Sequence, residues 1–136
     1  FLTNSIKDNK YLQVDYFAIF SEFQGKGYGR QAISKLKQIS SKYKGIFIEV
    51  EKMGLGKNEA ENMLRQRRMR FYTKLGFISL DYDFDLFKVI YTPLILPVHD
   101  VLDEQETIVE KVIEIYYEIL GEKIFKNNCN IQKHFT

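Results

Sequence analysis

The stretch QGKGYGR at residues 24–30 places three glycines at alternate positions between an apolar run and a helical pattern. The run before it, YLQVDYFAIF at residues 11–20, is rich in aromatic and β-branched side chains and apolar on both faces, which predicts a central strand. After the glycines, apolar residues recur every three or four positions from about residue 28 to residue 43, which predicts an amphipathic helix. Exposed backbone N–H groups and the helix dipole make such a turn a binding site for an anion such as phosphate.

Two common nucleotide-binding motifs do not fit this stretch. The phosphate loop of the nucleotide hydrolases closes with Lys followed by Ser or Thr, where this chain has Arg30 and Gln31. Gly25, Gly27 and Gly29 do not reproduce the G-x-G-x-x-G spacing of dinucleotide-binding proteins, and no acidic residue ends a second parallel strand at the expected place. The stretch instead fits the spacing Q-x-x-G-x-G.

The composition indicates one soluble globular domain. The chain has 136 residues, of which 45% are hydrophobic and 28% charged, and its net charge is +2, so nucleic acid is not an expected partner. Cys129 is the single cysteine, which excludes an internal disulfide and favours a reducing, cytoplasmic location. Two histidines are too few for a metal site, and the longest apolar run, residues 89–98, is too short to cross a membrane. Because the chain enters a strand pattern almost at once, we expect it to be a fragment.

Alternating strands and helices are predicted downstream of the glycines. The expected elements are a strand at 46–51, a helix from Asn58 to Gly76, strands at 77–82 and 86–96, and a helix at about 103–120. An acidic turn around Asp83 and Asp85 is expected to join the last two strands. Residues 122–136 are expected to form a polar tail. This order predicts an α/β domain at residues 1–121, with a mixed sheet between helices.

A second motif accompanies the glycines, since RFYTKLGF at residues 70–77 resembles an FY-x-x-x-GF segment. Together the two motifs resemble those of the GNAT superfamily of acetyl-CoA-dependent N-acetyltransferases, over roughly residues 11–97. The resemblance implies a mostly antiparallel central sheet with flanking helices, in which the central strands, 11–20 and 46–51, splay apart to admit the pantetheine arm of CoA. It also implies that this domain lacks most of the family's N-terminal part, which supplies much of the acceptor pocket.

The resemblance implies acetyl-CoA as the co-substrate, and no metal is expected. Backbone amides from Gln24 to Arg30 would hold the diphosphate, with Lys26 and Arg30 as sources of positive charge, and the main chain of Phe17 to Ile19 would bind the pantetheine arm. The implied cofactor-binding residues are Phe17, Ala18, Ile19, Gln24, Gly25, Lys26, Gly27, Tyr28, Gly29 and Arg30.

Three residues are candidates for the chemistry. Tyr72 matches the position where many family members have a tyrosine near the CoA sulfur, so the resemblance implies a general acid for the leaving thiolate. The alternative is a tyrosine that packs beside Phe71. Glu49 and Glu51 share one face of their strand, because side chains alternate with period two. Either could deprotonate the attacking amine, directly or through water; the alternative is a strand edge or a structural ion pair.

The second helix carries Arg65, Arg67, Arg68 and Arg70. Its apolar face has a gap at positions 67 and 68, so we expect one guanidinium to point inward and to pair with Glu49 or Glu51. The alternative is that all four arginines line a solvated face. Many family members have an asparagine that contacts the cofactor at the position of Arg65 and a small residue at that of Arg68, so this contact is not implied here.

The predicted function is that of an N-acetyltransferase that moves an acetyl group to a primary amine by direct attack in a ternary complex, as the resemblance implies. The acceptor is a small molecule or a peptide, and the strand carboxylates favour a cationic amine. Two alternatives stay open. One is a non-catalytic acyl-CoA-binding domain, and the other is an interaction domain whose last helix, with an apolar stripe from Ile108 to Leu120, recruits a partner or forms a homodimer. No membrane partner is expected.

Overall fold

Seven strands and four helices form the part of the chain that the computed structural model describes, residues 2–6, 8–16 and 27–134. The strands are β1 (Leu2–Asn4), β2 (Tyr11–Tyr16), β3 (Gly45–Glu51), β4 (Ile78–Ser79), β5 (Tyr82–Leu86), β6 (Val89–Pro97) and β7 (Cys129–Lys133). The helices are α1 (Tyr28–Ile39), α2 (Glu59–Lys74), α3 (Gln105–Leu120) and α4 (Glu122–Asn128). The predicted order of strands and helices is confirmed from β2 to α2, whereas three strands lie between α2 and α3 where the sequence predicts two.

All seven strands belong to one sheet with the order β1–β2–β3–β6–β5–β7, and β4 pairs with the second half of β6. β2 and β3 run parallel, whereas the other described pairs are antiparallel. The predicted α/β fold, with a mixed, mostly antiparallel central sheet and flanking helices, is therefore confirmed.

β2 and β3 pair along only the first part of their length. In the described residues, the parallel ladder runs from the pair Tyr11 and Gly45 to the pair Gln13 and Phe47. Each strand then continues beyond the ladder, where β2 pairs with β1 and β3 pairs with β6. Among the described residues, the two central strands are thus not paired with each other beyond Gln13 and Phe47, which agrees with the predicted splay. We call this gap, beyond the pair of Gln13 and Phe47, the β2–β3 opening.

The side chains of β3 alternate between the two faces of the sheet. Phe47 lies on one face, in a cluster of buried side chains from β2, β5, α3 and α4, and we call this the α3 face. Ile46, Ile48 and Val50 lie on the other face, which α1 and α2 cover. Side chains at odd-numbered positions of β3 therefore share the face of α3.

Local signals fix both ends of α2. The side chain of Asn58 caps the N-terminus, because its Oδ1 accepts a hydrogen bond from the N–H of Glu61 at 2.9 Å. Gly76 follows the helix with φ 104, and the N–H of Phe77 returns to the carbonyl of Tyr72 at 3.1 Å. Both predicted ends of this helix are confirmed.

The β5–β6 hairpin turns at Phe87 and Lys88, so the prediction of an acidic turn around Asp83 and Asp85 is wrong. Both aspartates lie within β5, and the two turn residues have φ values of 51 and 70. Two-residue turns with positive φ ordinarily contain glycine or asparagine, and phenylalanine and lysine carry no such signal. Of the strand predicted at residues 77–82, only two residues form β4.

The polar tail predicted at residues 122–136 is instead folded over residues 122–133, as α4 and β7. α4 buries the ring of Phe125 against Tyr116 and Tyr117, and β7 pairs with β5 along its whole length. The segment has a polar composition because the other side chains of α4 are exposed and β7 ends the described strand order of the sheet. The fold therefore extends beyond the predicted boundary at residue 121.

Candidate functional site

The described part of the glycine stretch forms the beginning of α1. Gly27 is the N-cap with φ 80, and no atom of the described residues lies within 4 Å of the position that a Cβ would take there. Tyr28, Gly29 and Arg30 begin the first turn, which contains no acidic side chain. Its backbone N–H groups and the positive end of the helix dipole suit an anion. The other predicted cofactor-binding residues lie outside the described residues: Phe17, Ala18, Ile19, Gln24, Gly25 and Lys26.

Glu49 lies on β3 just beyond Phe47, the last residue of the ladder with β2. Its Oε1 accepts a hydrogen bond from Nε2 of Gln13 at 3.0 Å, and its Oε2 accepts one from the hydroxyl of Tyr116 at 2.7 Å. Nδ2 of Asn4 in turn donates to Oε1 of Gln13 at 2.6 Å. Donors from β2 and α3 therefore hold both oxygens of Glu49 and fix its orientation beside the β2–β3 opening.

Glu51 is held by cations. Nη2 of Arg65 lies 2.7 Å from Oε2 of Glu51 and 2.8 Å from Oε1 of Glu61, and Nη1 donates to the carbonyl of Lys52 at 2.9 Å. Nη1 of Arg68 lies 3.7 Å from Oε1 of Glu51. Arg65 is only 8% exposed, so it is the inward arginine that the sequence predicts, although it lies before the expected gap in the apolar face. The structural ion pair considered as an alternative for Glu51 is thus present.

Tyr91 is the β6 residue paired with Glu51, and it brings a phenol to the same end of the sheet. Burial raises the pKa of Tyr91, the negative charges of Glu51 and Glu49 raise it further, and Arg65 lowers it. The phenol therefore stays protonated at neutral pH, and it interacts electrostatically with both carboxylates.

Sequence reasoning missed Gln13, Tyr91 and Tyr116 as parts of this site. Gln13 is a polar residue in an apolar run and is 1% exposed, and a polar residue in a predicted central strand is a usable signal for a buried hydrogen bond. Tyr116 stood out only as one of two adjacent tyrosines in the apolar stripe of a helix. Tyr91 has no local signal, because the pairing of β6 with β3 sets its neighbours.

Tyr72 lies on α2 and packs on the face opposite to α3. Its ring contacts the rings of Phe71 and Phe77 edge-on, at centroid distances of 5.2 and 5.4 Å. Burial raises the pKa of Tyr72, and the guanidinium of Arg68 lowers it to a smaller extent, so the phenol stays protonated at neutral pH. Tyr72 and Glu49 face opposite sides of the sheet.

The described residues, 2–6, 8–16 and 27–134, contain neither a metal-binding group nor a membrane-spanning helix. Within these residues, no three His, Cys, Asp or Glu side chains are grouped so that they could hold a metal ion. The helices of the same part of the chain are all too short or too polar to cross a membrane.

Comparison with known proteins finds matches among solved structures. No family model and no curated protein matches the chain. The crystal structure of nourseothricin acetyltransferase matches 71% of the chain at 15% sequence identity, with a TM-score of 0.55. The chain has the fold of the GNAT acetyltransferases. The crystal structure of the NatC complex bound to Gag peptide and CoA also matches 71% of the chain, at 19% identity and a TM-score of 0.43.

The chain spans only part of the length of these two proteins. It covers 55% of the nourseothricin acetyltransferase chain and 57% of the matched NatC chain. At 15% identity, the likeness to nourseothricin acetyltransferase establishes the fold alone, and this fold agrees with the one that the two sequence motifs imply.

Proposed function

We propose that this chain is the acetyl-CoA-binding part of an N-acetyltransferase and that it transfers an acetyl group from acetyl-CoA to a primary amine. The observation that carries the proposal is the β2–β3 opening, where Gln13 ends the ladder and orients the carboxylate of Glu49. The GNAT fold and the motifs at residues 24–29 and 70–77 support the same function.

In this proposal the N-terminus of α1 holds the diphosphate of acetyl-CoA. Tyr28, Gly29 and Arg30 supply N–H groups and one positive charge, and the preceding residues 24–27 complete the site. A multiply charged anion suits a helix N-terminus that has no acidic side chain in its first turn. The main chain of residues 17–19 binds the pantetheine arm, and the thioester ends in the β2–β3 opening.

The reaction requires a neutral amine and a protonated leaving group. Glu49 takes a proton from the ammonium group of the acceptor, directly or through water. The amine nitrogen then attacks the thioester carbonyl, and the C–N bond forms before the C–S bond breaks. Tyr72 donates its hydroxyl proton to the departing sulfur, and the second proton that the nitrogen loses as the amide forms restores the Tyr72 phenol, directly or through water. Attack from the α3 face and protonation from the opposite face agree with the placement of these two side chains.

The contacts favour Glu49 over Glu51 as the base. Glu51 is paired with Arg65 and Arg68, so a proton taken up there would disrupt both ion pairs. The two described hydrogen bonds to Glu49, from Gln13 and Tyr116, come from neutral donors, so neither bond is an ion pair that protonation of Glu49 would break.

The acceptor proposed on this basis is a cationic amine on a small molecule or a peptide. Oligomeric state and location do not follow from the site. A homodimer and a cytoplasmic location stay predictions.

The proposal is tested by measuring acceptor-dependent release of CoA thiol by the 136-residue chain. The acceptors are a diamine, an amino sugar, a peptide with a free N-terminus and a lysine-containing peptide. We expect at least one of them to release thiol, and Glu49→Gln to lower kcat about a hundredfold while acetyl-CoA still binds. Glu118→Gln, an exposed change on α3, is the matched control.

Two other outcomes would change the proposal. A Glu49→Gln variant with the wild-type kcat would remove Glu49 as the base. Binding of acetyl-CoA without thiol release for any acceptor would instead support the non-catalytic acyl-CoA-binding alternative.

A further inference from the structure

Tyr116 connects the C-terminal helix to the carboxylate beside the opening. Its hydroxyl donates to Oε2 of Glu49 at 2.7 Å, between residues 67 positions apart in the sequence. The motifs at residues 24–29 and 70–77 lie outside α3, so this contact is a feature of the chain that the family resemblance does not imply.

Two elements, β5 and α4, fix the position of the Tyr116 ring. The side chain is 6% exposed, and its ring meets Phe84 of β5 edge-on at a centroid distance of 6.2 Å. The ring also stacks with that of Phe125 of α4, at a centroid distance of 5.9 Å. The hydroxyl is therefore presented to Glu49 by a ring that the sheet and α4 hold in place.

The second oxygen of Glu49 is held from β2. Gln13, which is 1% exposed, donates to Oε1 and accepts a hydrogen bond from Asn4. A carboxylate that accepts hydrogen bonds at both oxygens cannot rotate without losing one of them, so it presents one orientation to a substrate. Tyr116 on α3 and Gln13 on β2 together set this orientation.

We infer that Tyr116 is a positioning residue of the acetyl-transfer site, whose hydroxyl fixes the orientation in which Glu49 receives the proton of the acceptor amine. The inference rests on the proposed function. In this role Tyr116 acts through Glu49 and does not itself touch the acetyl group.

The test is a double-mutant cycle with Tyr116→Phe and Glu49→Gln. Tyr116→Phe removes the hydroxyl and keeps the ring that packs on Phe84 and Phe125. It is expected to lower kcat about tenfold, because a hydrogen bond to a charged group is lost, while KM for acetyl-CoA is unchanged. In the Glu49→Gln background the same change is expected to have no further effect, because the two residues act as one unit.

Tyr117→Phe is the matched control, since Tyr117 lies on the same helix and its ring meets that of Phe125 at 5.0 Å. This variant is expected to keep the wild-type kcat. Equal loss of kcat from Tyr116→Phe in both backgrounds would mean that the Tyr116 hydroxyl acts independently of Glu49, and it would overturn the inference. A Tyr116→Phe variant with the wild-type kcat would overturn it as well.

The same cycle, measured by thermal unfolding, separates this inference from the proposed function. If the wild-type chain transfers no acetyl group, the proposed function fails, whereas the unfolding cycle still reports on the contact between Tyr116 and Glu49. Non-additive shifts of the midpoint would then support the positioning contact. Strictly additive shifts would overturn it.

Discussion

Arg65 and Glu51 form the ion pair that ties α2 to the end of β3, with 2.7 Å between Nη2 and Oε2. The same guanidinium group reaches Glu61 and the carbonyl of Lys52. One buried cation thus joins two carboxylates, and its removal leaves them close together without a shared partner.

Replacement of Arg65 by methionine is expected to lower the free energy of unfolding by about 2 kcal/mol. Loss of one partner from a buried ion pair costs about 3–5 kcal/mol, and the cost is smaller here because the side chains of Glu51 and Glu61 are 33% and 32% exposed and can be hydrated. Chemical denaturation measures the change. Arg67→Met, on the exposed side of the same helix, should stay within about 0.5 kcal/mol of the wild type, and equal losses in the two variants would contradict the assignment.

The C-terminal segment is predicted to be required for stability. Phe125→Ala is expected to cost about 3 kcal/mol, because the ring is 6% exposed and packs on Tyr116 and Tyr117. Phe87→Ala, in the β5–β6 turn, is the control and should cost less than about 1 kcal/mol, since Phe87 is 50% exposed. If deletion of residues 122–136 leaves the free energy of unfolding unchanged, the segment contributes nothing to stability.

Most elements of the fold were predictable because each has a local signal. Asn58 and Gly76 mark the ends of α2, and the apolar periods identify the faces of α1 and α3. The β5–β6 turn lacks a signal because Phe87 and Lys88 adopt positive φ without glycine or asparagine. α4 and β7 were missed because one buried ring, that of Phe125, anchors an otherwise exposed helix.

The candidate site was predictable only in part. The alternation of side chains along a strand is enough to place Glu49 and Glu51 on one face. An inward arginine could be expected from the apolar pattern of α2. Which carboxylate is ion-paired depends on how α2 crosses the end of β3, and that crossing has no signature in the spacing of residues. Tyr116 reaches Glu49 only because α3 packs across the sheet, which is a consequence of the tertiary fold.

Gly27 and Gly54 provide a matched pair for testing the anion site. Both are left-handed, with φ values of 80 and 85, and in the part of the chain that the structure describes nothing lies within 4 Å of either Cβ position. Alanine at either position is expected to cost about 1 kcal/mol of stability, because residues with a Cβ disfavour this conformation. Only Gly27→Ala is predicted to weaken acetyl-CoA binding, since Gly27 is the N-cap of α1. Calorimetric titration measures the affinities for acetyl-CoA. Equal affinities of the two variants would show that the α1 N-terminus does not bind the diphosphate.

Asp83 is predicted to make stability depend on acidic pH. Burial raises its pKa, but the hydrogen bonds from Lys52 and His134 outweigh this effect and hold the pKa of Asp83 below its ordinary value of 3.8. A carboxyl group with a depressed folded pKa stabilises the fold above its unfolded pKa, and this stabilisation is lost as the pH falls through the folded value.

Asp83→Asn should therefore be less stable than the wild type at about pH 6, and the difference should shrink as the pH falls below about 4. Denaturant titrations at several pH values measure it. Asp85→Asn, on the same strand, is the control and should show a smaller difference, because the contacts of Lys52 and His134 are made to Asp83. A difference for Asp83→Asn that is constant with pH would contradict the assignment.

The central claim is that the N-terminus of α1 and the β2–β3 opening form an acetyl-CoA site, and the most direct test is a thermal-unfolding titration of the chain with acetyl-CoA. ATP and NAD serve as anionic controls. A ligand at about a hundred times its dissociation constant adds roughly 2.7 kcal/mol of stability, enough to raise the midpoint by several degrees. The proposed function predicts a rise with acetyl-CoA and none with the controls. No shift with acetyl-CoA, or equal shifts with all three ligands, would contradict the claim.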